Sequence, residues 1–167
     1  MNRFTFKPLA ETDIDRMHRW LNQAHVLEYW PEPLSLEQVR AKYLKHIASN
    51  IVFPFIAYFN DQAIAYIHYY AADKVGGGWW PDARPGTVGI DLFIGELDFI
   101  HKGYGSALLK EFIDQLTQNS AIKRLIIDVN PKNITARRCY EKVGFIAEGE
   151  VNTPDGLALL MAIDIFS

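Results

Sequence analysis

The stretch from residue 87 to residue 145 constrains the fold most, because it alternates two strand patterns with two helical patterns. "TVGIDLFIG" and "KRLIIDV" are short apolar runs, which are typical of buried strands. A segment with apolar residues at helical spacing follows each run, and the second segment ends at Gly144, a natural left-handed helix end. This order predicts a strand–helix–strand–helix unit in a fold that mixes helices with one sheet.

The flanking segments add strands and two more helices. "RFTFKPL" alternates polar and apolar residues and predicts a first strand that ends at Pro8. Thr12 and Ser35 each stand where a helix would begin, with Asp15 and Gln38 as their partners in capping boxes. "FPFIAYF" and "AIAYIHYY" around "NDQ" predict a hairpin, and two final strands surround "NTPDG". We therefore expect an α+β protein with one central sheet.

Composition narrows the class of protein and its partners. The chain has 167 residues, 49% of them hydrophobic, which predicts one compact domain spanning 1–167. A formal net charge of −3 without a basic stripe gives no support for a nucleic-acid partner. Cys139 is the one cysteine, so no intrachain disulfide forms. The N-terminus lacks the apolar core of a signal peptide, and no run approaches the roughly 18 apolar residues of a membrane span. We expect a cytoplasmic protein with no membrane partner.

The segment "HKGYGS", His101 to Ser106, raises the question of phosphate binding. It precedes a helical pattern, and a helix N-terminus offers unpaired backbone N–H groups to an anion. A Walker A loop needs glycine before lysine, and here the order is reversed. Gly103 and Gly105 fit a dinucleotide fingerprint with Asp128 at the expected distance, but Leu108 stands where that fingerprint has Gly or Ala. Spacing alone leaves a phosphate loop and an ordinary turn equally open.

The neighbouring segments favour a phosphate loop over an ordinary turn. "HKGYGSALL" and "NPKNITARRCYEKVGF" together resemble the coenzyme-A half of the GNAT superfamily of acyltransferases. The family's Arg/Gln-x-x-Gly-x-Gly/Ala pattern matches at both glycines, although Ile100 stands at the Arg/Gln position. The second pattern, N-x-x-A-x-x-x-Y-x-x-x-G-F, matches at Asn133, Ala136, Tyr140, Gly144 and Phe145. "WLNQAHVLEYW", "GGWWPDARPGTVGID", "RRCYEKVGF" and "TPDG" are similar to segments of the aminoglycoside 6′-N-acetyltransferases.

This resemblance implies a fold, a donor and an acceptor. The fold would be the GNAT fold, a central mixed, mostly antiparallel sheet flanked by about four helices. The donor would be acetyl-coenzyme A, and the acceptor a primary amine of a small cationic molecule, with an aminoglycoside 6′-amine first. The amine would attack the thioester directly in a ternary complex.

The resemblance also assigns two catalytic roles. Asp91 lies between Ile90 and Leu92 in an apolar strand, where a carboxylate is costly to bury unless it has a partner or a function. It matches the aspartate of the family's "GID" and would be the general base, unless it faces solvent at a strand end. Tyr140 matches the tyrosine near the coenzyme sulfur and would be the general acid. It also fits a packing position, and a tyrosine can serve both purposes.

Binding residues follow from the same matches. Backbone groups of Leu92, Phe93 and Ile94 would pair with the pantetheine arm. Loop amides would hold the pyrophosphate, from Lys102, Gly103, Tyr104, Gly105 and Ser106. Asn133 would contact the pantetheine or cap its helix, and these roles are compatible. The acceptor would meet carboxylates and aromatic faces, which suit a polycation, at Glu28, Tyr29, Trp30, Trp79, Trp80, Asp82 and Asp128.

Other residues and two departures leave alternatives open. We interpret Cys139 as an inert packed thiol, see no metal-ligand spacing, and expect His25 and His68 to be structural or surface residues. Gly77 replaces an acid of the family's "DGWW", and Leu92 replaces the glutamine of its "GIDQ". Both weaken the case for a highly charged acceptor. The alternatives are a lysine or hydroxylysine N-acetyltransferase of siderophore assembly, and a non-catalytic sensor of acyl-coenzyme A or another small molecule.

Overall fold

The computed structural model describes residues 2–30, 34–75, 83–153 and 155–165. Within these residues, seven strands form one sheet in the order β1-β2-β3-β4-β5-β7-β6. The strands are β1 (Phe4–Pro8), β2 (Val52–Phe59), β3 (Gln62–Ala71), β4 (Thr87–Ile94), β5 (Arg124–Val129), β6 (Ile146–Thr153) and β7 (Gly156–Asp164). β4 and β5 are the parallel neighbours, and the other described pairs are antiparallel. The α+β class and the mixed, mostly antiparallel sheet are confirmed.

Five α-helices lie in the same described ranges, where about four were expected. They are α1 (Ile14–Leu21), α2 (Ala24–Leu27), α3 (Leu36–Ala48), α4 (Tyr104–Leu116) and α5 (Ile134–Val143). The additional helix is α2, which is too short for its sequence to display a helical period. No helix of the described residues is both long and apolar enough to span a membrane.

The two predicted capping boxes have different outcomes. Ser35 Oγ accepts from the Gln38 backbone N–H at 3.1 Å, and Gln38 Oε1 accepts from the Ser35 N–H at 2.9 Å, as predicted. The prediction for Thr12 is wrong. A 3-10 turn, Glu11–Asp13, precedes α1, and Asp13 Oδ2 accepts from the Ala10 N–H at 2.9 Å. A carboxylate one residue after Thr12 therefore satisfies the free donor and starts the turn earlier than the sequence pattern suggested.

Two apolar layers cover the two faces of the sheet. α4 and α5 pack on one face, with Leu108 and Leu109 fully buried against β-strand residues. α1, α2 and α3 cover the other face around Trp20, Tyr43 and Tyr66, which are also fully buried. Burial of about 25 cal/mol per Å² of apolar surface makes these layers the main source of stability. They hold the centre of the sheet rigid on both sides.

The sheet opens between β4 and β5. Their ladder runs from the Thr87–Arg124 pair to the Gly89–Ile126 pair, whereas β4 stays paired with β3 as far as Ile94. The carboxyl-terminal halves of these parallel strands therefore diverge. α4 follows β4 and α5 follows β5, so the N-termini of both helices lie at the edge where the strands separate. This opening positions the candidate site.

Candidate active site

A cleft of 1080 Å³ occupies the opening between β4 and β5. It is large enough for a cofactor-sized ligand. Its lining brings together most of the side chains and backbone predicted for the site, namely Glu28, Tyr29, Trp30, Asp91, Leu92, Phe93, Ile94, Gly103, Gly105, Ser106, Asp128, Asn133 and Tyr140. Trp79, Trp80 and Asp82, together with Gly77, lie outside the described residues. One cavity thus contains residues predicted to bind the coenzyme and residues predicted to bind the acceptor.

Asp91 lies on β4 directly opposite His68 of β3. His68 Nε2 is 2.9 Å from Asp91 Oδ2, and His68 Nδ1 is 2.7 Å from the Tyr66 hydroxyl. The Asp91 side chain is 31% exposed and faces the cleft, while His68 is 9% exposed. A buried imidazole is therefore bonded to one oxygen of this carboxylate, which offsets the free-energy cost of placing the carboxylate in an apolar strand.

Sequence reasoning missed this role of His68. Alternation along the predicted hairpin places residues 66, 68 and 70 on one face of β3, which would have suggested that they share an environment. Asp91 lies 23 residues further along the chain, and no local pattern fixes the register between β3 and β4. The pairing is a property of the folded sheet.

Tyr140 lies on α5 and is 8% exposed. Its ring packs against Phe145 with 6.1 Å between ring centroids, so the packing interpretation is confirmed. Burial is the main cause that raises the pKa of its hydroxyl, and the nearby Asp91 and Asp128 carboxylates raise the pKa further. The hydroxyl therefore stays protonated through the neutral range, as a proton donor must.

Asp128, at the end of β5, is partly buried in the same cleft. Burial raises the pKa of its carboxyl to about 7, and the charges of Asp91 and Asp155 add to the shift. Asp155 comes from the turn between β6 and β7 and also lines the cleft. It was not singled out from the sequence, because its position next to β5 depends on how β7 pairs in the sheet. With Glu28, these carboxylates give the cleft an acidic side.

The turn before α4 has the backbone shape that its glycines allow. Gly103 has φ +84° and is the residue before the first turn of the helix, and His101 also has a positive φ of 58°. Ala107 N–H is bonded to the Gly103 carbonyl at 3.2 Å, so the amides of residues 104–106 precede that first backbone bond of the helix. An anion at this end would meet backbone donors and the positive end of the helix dipole.

Two side chains of that loop, those of Lys102 and Tyr104, contact other parts of the protein. Lys102 Nζ donates to the Asp98 carbonyl oxygen at 2.8 Å, and Tyr104 packs against Phe99 with 4.8 Å between ring centroids. Neither residue is part of the cleft lining, so the structure does not bring Lys102 and Tyr104 together with the other residues predicted for the pyrophosphate. Positive charge in the lining comes instead from Lys42 on α3 and from Arg138 and Lys142 on α5, which were not singled out from the sequence.

Asn133 caps α5 and also lines the cleft. Its Oδ1 accepts from the Ala136 backbone N–H at 3.2 Å, so the capping interpretation is confirmed. The adjacent Cys139 is partly buried, and burial raises the pKa of its thiol to about 11. A thiol with that pKa is almost entirely uncharged at neutral pH, which supports the inert interpretation. Among the described residues, no group of three or more His, Cys, Asp or Glu side chains is placed to hold a metal ion.

The segment around α2 closes the other wall of the cleft. The Trp30 ring lies edge-on to Phe93 at 5.1 Å and to Tyr66 at 6.4 Å between centroids. His25 Nε2 is 2.9 Å from the carbonyl oxygen of Ile94 and donates to it, since a carbonyl only accepts. α2 is thereby tied to the last residue of β4, and the acidic and aromatic residues that follow it, Glu28, Tyr29 and Trp30, line the cleft.

Comparisons with known proteins give consistent results. Residues 10–153 match the family model described as an acetyltransferase (GNAT) domain. An aminoglycoside N(6′)-acetyltransferase type 1 of Klebsiella pneumoniae is 35% identical over 163 residues, covering 94% of this chain and 81% of the relative. A crystal structure of the aminoglycoside acetyltransferase AAC(6′)-Ib with coenzyme A and kanamycin has a TM-score of 0.90 at 34% identity, covering 96% of this chain and 94% of that one. Another structure of AAC(6′)-Ib, with paromomycin and acetyl-coenzyme A, has a TM-score of 0.92 at 33% identity, covering 98% and 94%.

Proposed function

The chain belongs to the GNAT acetyltransferase family, and from this premise we propose that it transfers the acetyl group of acetyl-coenzyme A to the 6′-amine of an aminoglycoside. The observation that carries the proposal is the acidic side of the cleft, where Asp91, Asp128 and Asp155 face the same space as the Tyr140 hydroxyl. An aminoglycoside carries several ammonium groups, and clustered carboxylates suit such a polycation.

Asp91 is the proposed general base. The acceptor amine arrives as an ammonium ion and must lose a proton before its nitrogen can attack. His68 holds Oδ2 of the carboxylate, so Oδ1 is the oxygen assigned to take that proton. A base in this position typically contributes about 10²–10⁴-fold to the rate.

Tyr140 is the proposed general acid. The neutral amine nitrogen forms a bond to the thioester carbonyl carbon, and the carbon–sulfur bond breaks. Tyr140 donates its hydroxyl proton to the departing sulfur, and the second proton leaving the nitrogen returns to Tyr140. Asp91 releases its proton to water, so the products are the acetamide, the free thiol and one proton. Burial raises the pKa of Tyr140, which keeps its hydroxyl protonated until the sulfur departs and also makes it a weaker acid.

The coenzyme has a matching place in the proposal. β4 beyond Gly89 diverges from β5, which leaves the backbone of residues 92–94 facing the cleft for a pantetheine arm to pair with. The amides at the start of α4 are assigned to the pyrophosphate, and Gly105 gives it room. Asn133 lies beside this path, and Arg138 and Lys142 supply positive charge for the phosphates.

A screen of acetyl-coenzyme A consumption tests the acceptor class. The purified protein is offered kanamycin, spermidine, lysine and hydroxylysine at equal concentrations. The proposal predicts robust turnover of kanamycin, with kcat/KM at least about 10-fold above that for the other amines. Preference for lysine or hydroxylysine would instead support the siderophore alternative. Coenzyme binding without turnover of any amine would indicate a sensor.

A further inference from the structure

We propose that His68 is a positioning residue for this reaction, which orients the Asp91 carboxylate, and that Tyr66 holds the other nitrogen of the His68 ring. The proposal rests on the assignment of Asp91 as the base in the proposed function. It concerns two residues of β3 that lie behind the base.

Hydrogen-bond chemistry fixes the direction of this chain of contacts. An ionised carboxylate only accepts, so the imidazole must carry its proton on Nε2 to bond Asp91 Oδ2 at 2.9 Å. In the neutral imidazole, Nδ1 is then an acceptor, and the Tyr66 hydroxyl at 2.7 Å donates to it. The order is therefore Tyr66 O–H to Nδ1, and Nε2–H to Asp91.

The surroundings of His68 hold its ring in place. The His46 ring lies 5.9 Å away and the Tyr70 ring 6.0 Å away, both measured between centroids and both close to edge-on. The Tyr66 ring is 5.4 Å from the imidazole and is itself fully buried in the layer formed by α1 to α3. A ring packed on several sides and bonded at both nitrogens has one orientation, and it transmits that orientation to Asp91.

The consequence for the reaction is geometric. Asp91 reaches the cleft from a strand, and a partial rotation about its Cβ–Cγ bond would turn the free oxygen away from the amine. The bond from His68 stops that rotation and leaves one oxygen directed at the acceptor. His68 takes no net proton during turnover in this scheme. Loss of its contact misplaces the base, and misplacement by about 1 Å can cost about 10²-fold in rate.

A matched pair of amide substitutions tests the contact. A glutamine amide nitrogen can occupy the position of Nε2 and still donate to Asp91, whereas an asparagine amide reaches only the position of Nδ1. We expect His68→Asn to lower kcat about 10- to 100-fold with the KM for acetyl-coenzyme A unchanged, and His68→Gln to stay within about 3-fold of the parent. His18→Asn on α1 is the control, because that histidine lies outside the cleft lining.

A double-mutant cycle separates positioning from a structural role. If His68 acts through Asp91, adding His68→Asn to Asp91→Asn should lower kcat by less than about 2-fold more. Thermal unfolding and coenzyme affinity are measured for every variant, to exclude a loss of fold. Fully multiplicative effects, or equal losses in His68→Gln and His68→Asn, would overturn the proposal. The cycle is measured with whichever primary amine supports turnover, so failure of kanamycin as an acceptor is recorded separately.

A spectroscopic measurement needs no acceptor at all. In protein labelled with ¹⁵N at histidine, the long-range proton–nitrogen correlations of the His68 ring report which nitrogen carries the proton. His68→Asn identifies the signal by its disappearance. We expect the Nε2–H tautomer in the parent, and the same tautomer in Tyr66→Phe, because the Asp91 carboxylate can only accept. A resting His68 with its proton on Nδ1 would contradict the proposed direction of the hydrogen bonds.

Discussion

At the scale of single residues, the carboxylates on the acidic side of the cleft lie in different environments. Asp91 is bonded to an imidazole, Asp128 is buried near two other acids, and Asp155 lies in a hairpin turn. Environment rather than residue type decides what a carboxylate can do in a site. The proposed base is the one that is bonded to a neighbouring ring, and we propose that the others bind the charged acceptor.

Replacing Asp91 by asparagine should remove the base and keep the shape. We expect kcat to fall about 10²-fold or more, with the Kd for acetyl-coenzyme A within about 2-fold of the parent. Steady-state kinetics and calorimetric titration measure the two quantities. Asp15→Asn, at an exposed position of α1, serves as the control and should change neither. Near-normal turnover at saturating amine would remove Asp91 from the mechanism.

Replacing Asp128 by asparagine should make stability less dependent on pH. The pKa of Asp128 is raised from 3.8 to about 7 in the folded protein, so between these values the folded state keeps a proton that the unfolded state releases. Its contribution to the free energy of unfolding therefore falls as pH rises from about 4 to 7. One pKa unit corresponds to about 1.4 kcal/mol, so we expect Asp128→Asn to raise Tm by roughly 3 °C or more at pH 8.

The pH series supplies the control for that prediction. The gain in Tm from Asp128→Asn should shrink as pH falls towards 4 and vanish below the unfolded-state pKa of 3.8, where both states hold the proton. Asp114→Asn, on the exposed face of α4, should leave Tm nearly unchanged at every pH. A gain that is equal at pH 4 and pH 8 would mean that the raised pKa of Asp128 is not its cause.

The residue types in the sequence were enough to predict some of the residues that line this cleft. Asp91 was identified because a carboxylate within an apolar strand needs a partner, and Tyr140 because it matches a family motif at the right spacing. His68 and Asp155 were missed, since each reaches the cleft through strand pairings between distant segments. Local sequence indicates that a residue is unusual, but the sheet decides what it meets.

At the scale of elements, the start of α4 contains a glycine, Gly105, that helix packing does not require. A Cβ on Gly105 would lie 3.6 Å from Cys139 Sγ and 3.7 Å from Ile94 Cδ1, which are ordinary contacts. The position thus tolerates a methyl group, while a longer side chain would extend into the cleft that Gly105 lines. The glycine is assigned to leave room for the coenzyme rather than to satisfy helix packing.

Substituting leucine for Gly105 tests this assignment. We expect the Kd for acetyl-coenzyme A to rise at least about 10-fold through steric exclusion, with Tm within a few degrees of the parent. Lys110→Leu, on the exposed face of the same helix, adds a comparable side chain and should leave the Kd unchanged. Titration of both variants measures the difference. Unchanged affinity in Gly105→Leu would exclude this loop from the coenzyme site.

Gly95, just after β4, is in contrast a glycine that packing requires. A Cβ there would lie 2.1 Å from Cδ2 of Trp20, a fully buried ring whose Nε1 donates to Glu96 at 2.8 Å. The ring cannot move away without losing that bond, so Gly95→Ala should destabilise the protein by about 1–3 kcal/mol. Gly105→Ala should instead stabilise by up to about 1 kcal/mol, because alanine favours helix. Chemical denaturation measures both, and equal effects would contradict this account.

Element types were well predicted, and their boundaries less so. The hairpin of β2 and β3, the strand β4 and the helices α3 to α5 follow from hydrophobic period, turn residues and a capping box. α2 was missed because four residues display no period, and the start of α1 was misplaced because Asp13 caps the turn. The divergence of β4 from β5 could not be predicted, since it depends on where a ladder stops.

At the scale of the whole molecule, the fold gathers two kinds of group in one cleft. The N-termini of α4 and α5 and the basic side chains of Lys42, Arg138 and Lys142 line it together with carboxylates from β4, β5 and the β6–β7 turn. The formal net charge of −3 does not by itself identify a partner. The cluster of Asp91, Asp128 and Asp155 in the cleft supports a cationic ligand, because clustered charge of one sign attracts and orients an oppositely charged ligand.

Acetylation of two aminoglycosides that differ at one group tests the central claim most directly. Neomycin carries an amine at the 6′ carbon, and paromomycin carries a hydroxyl there with the rest of the molecule unchanged. We predict turnover of neomycin to a product with a single added acetyl group at the 6′ nitrogen, and turnover of paromomycin at least about 10³-fold slower. Equal rates with the two compounds, or an acetyl group at another nitrogen, would contradict the proposed function.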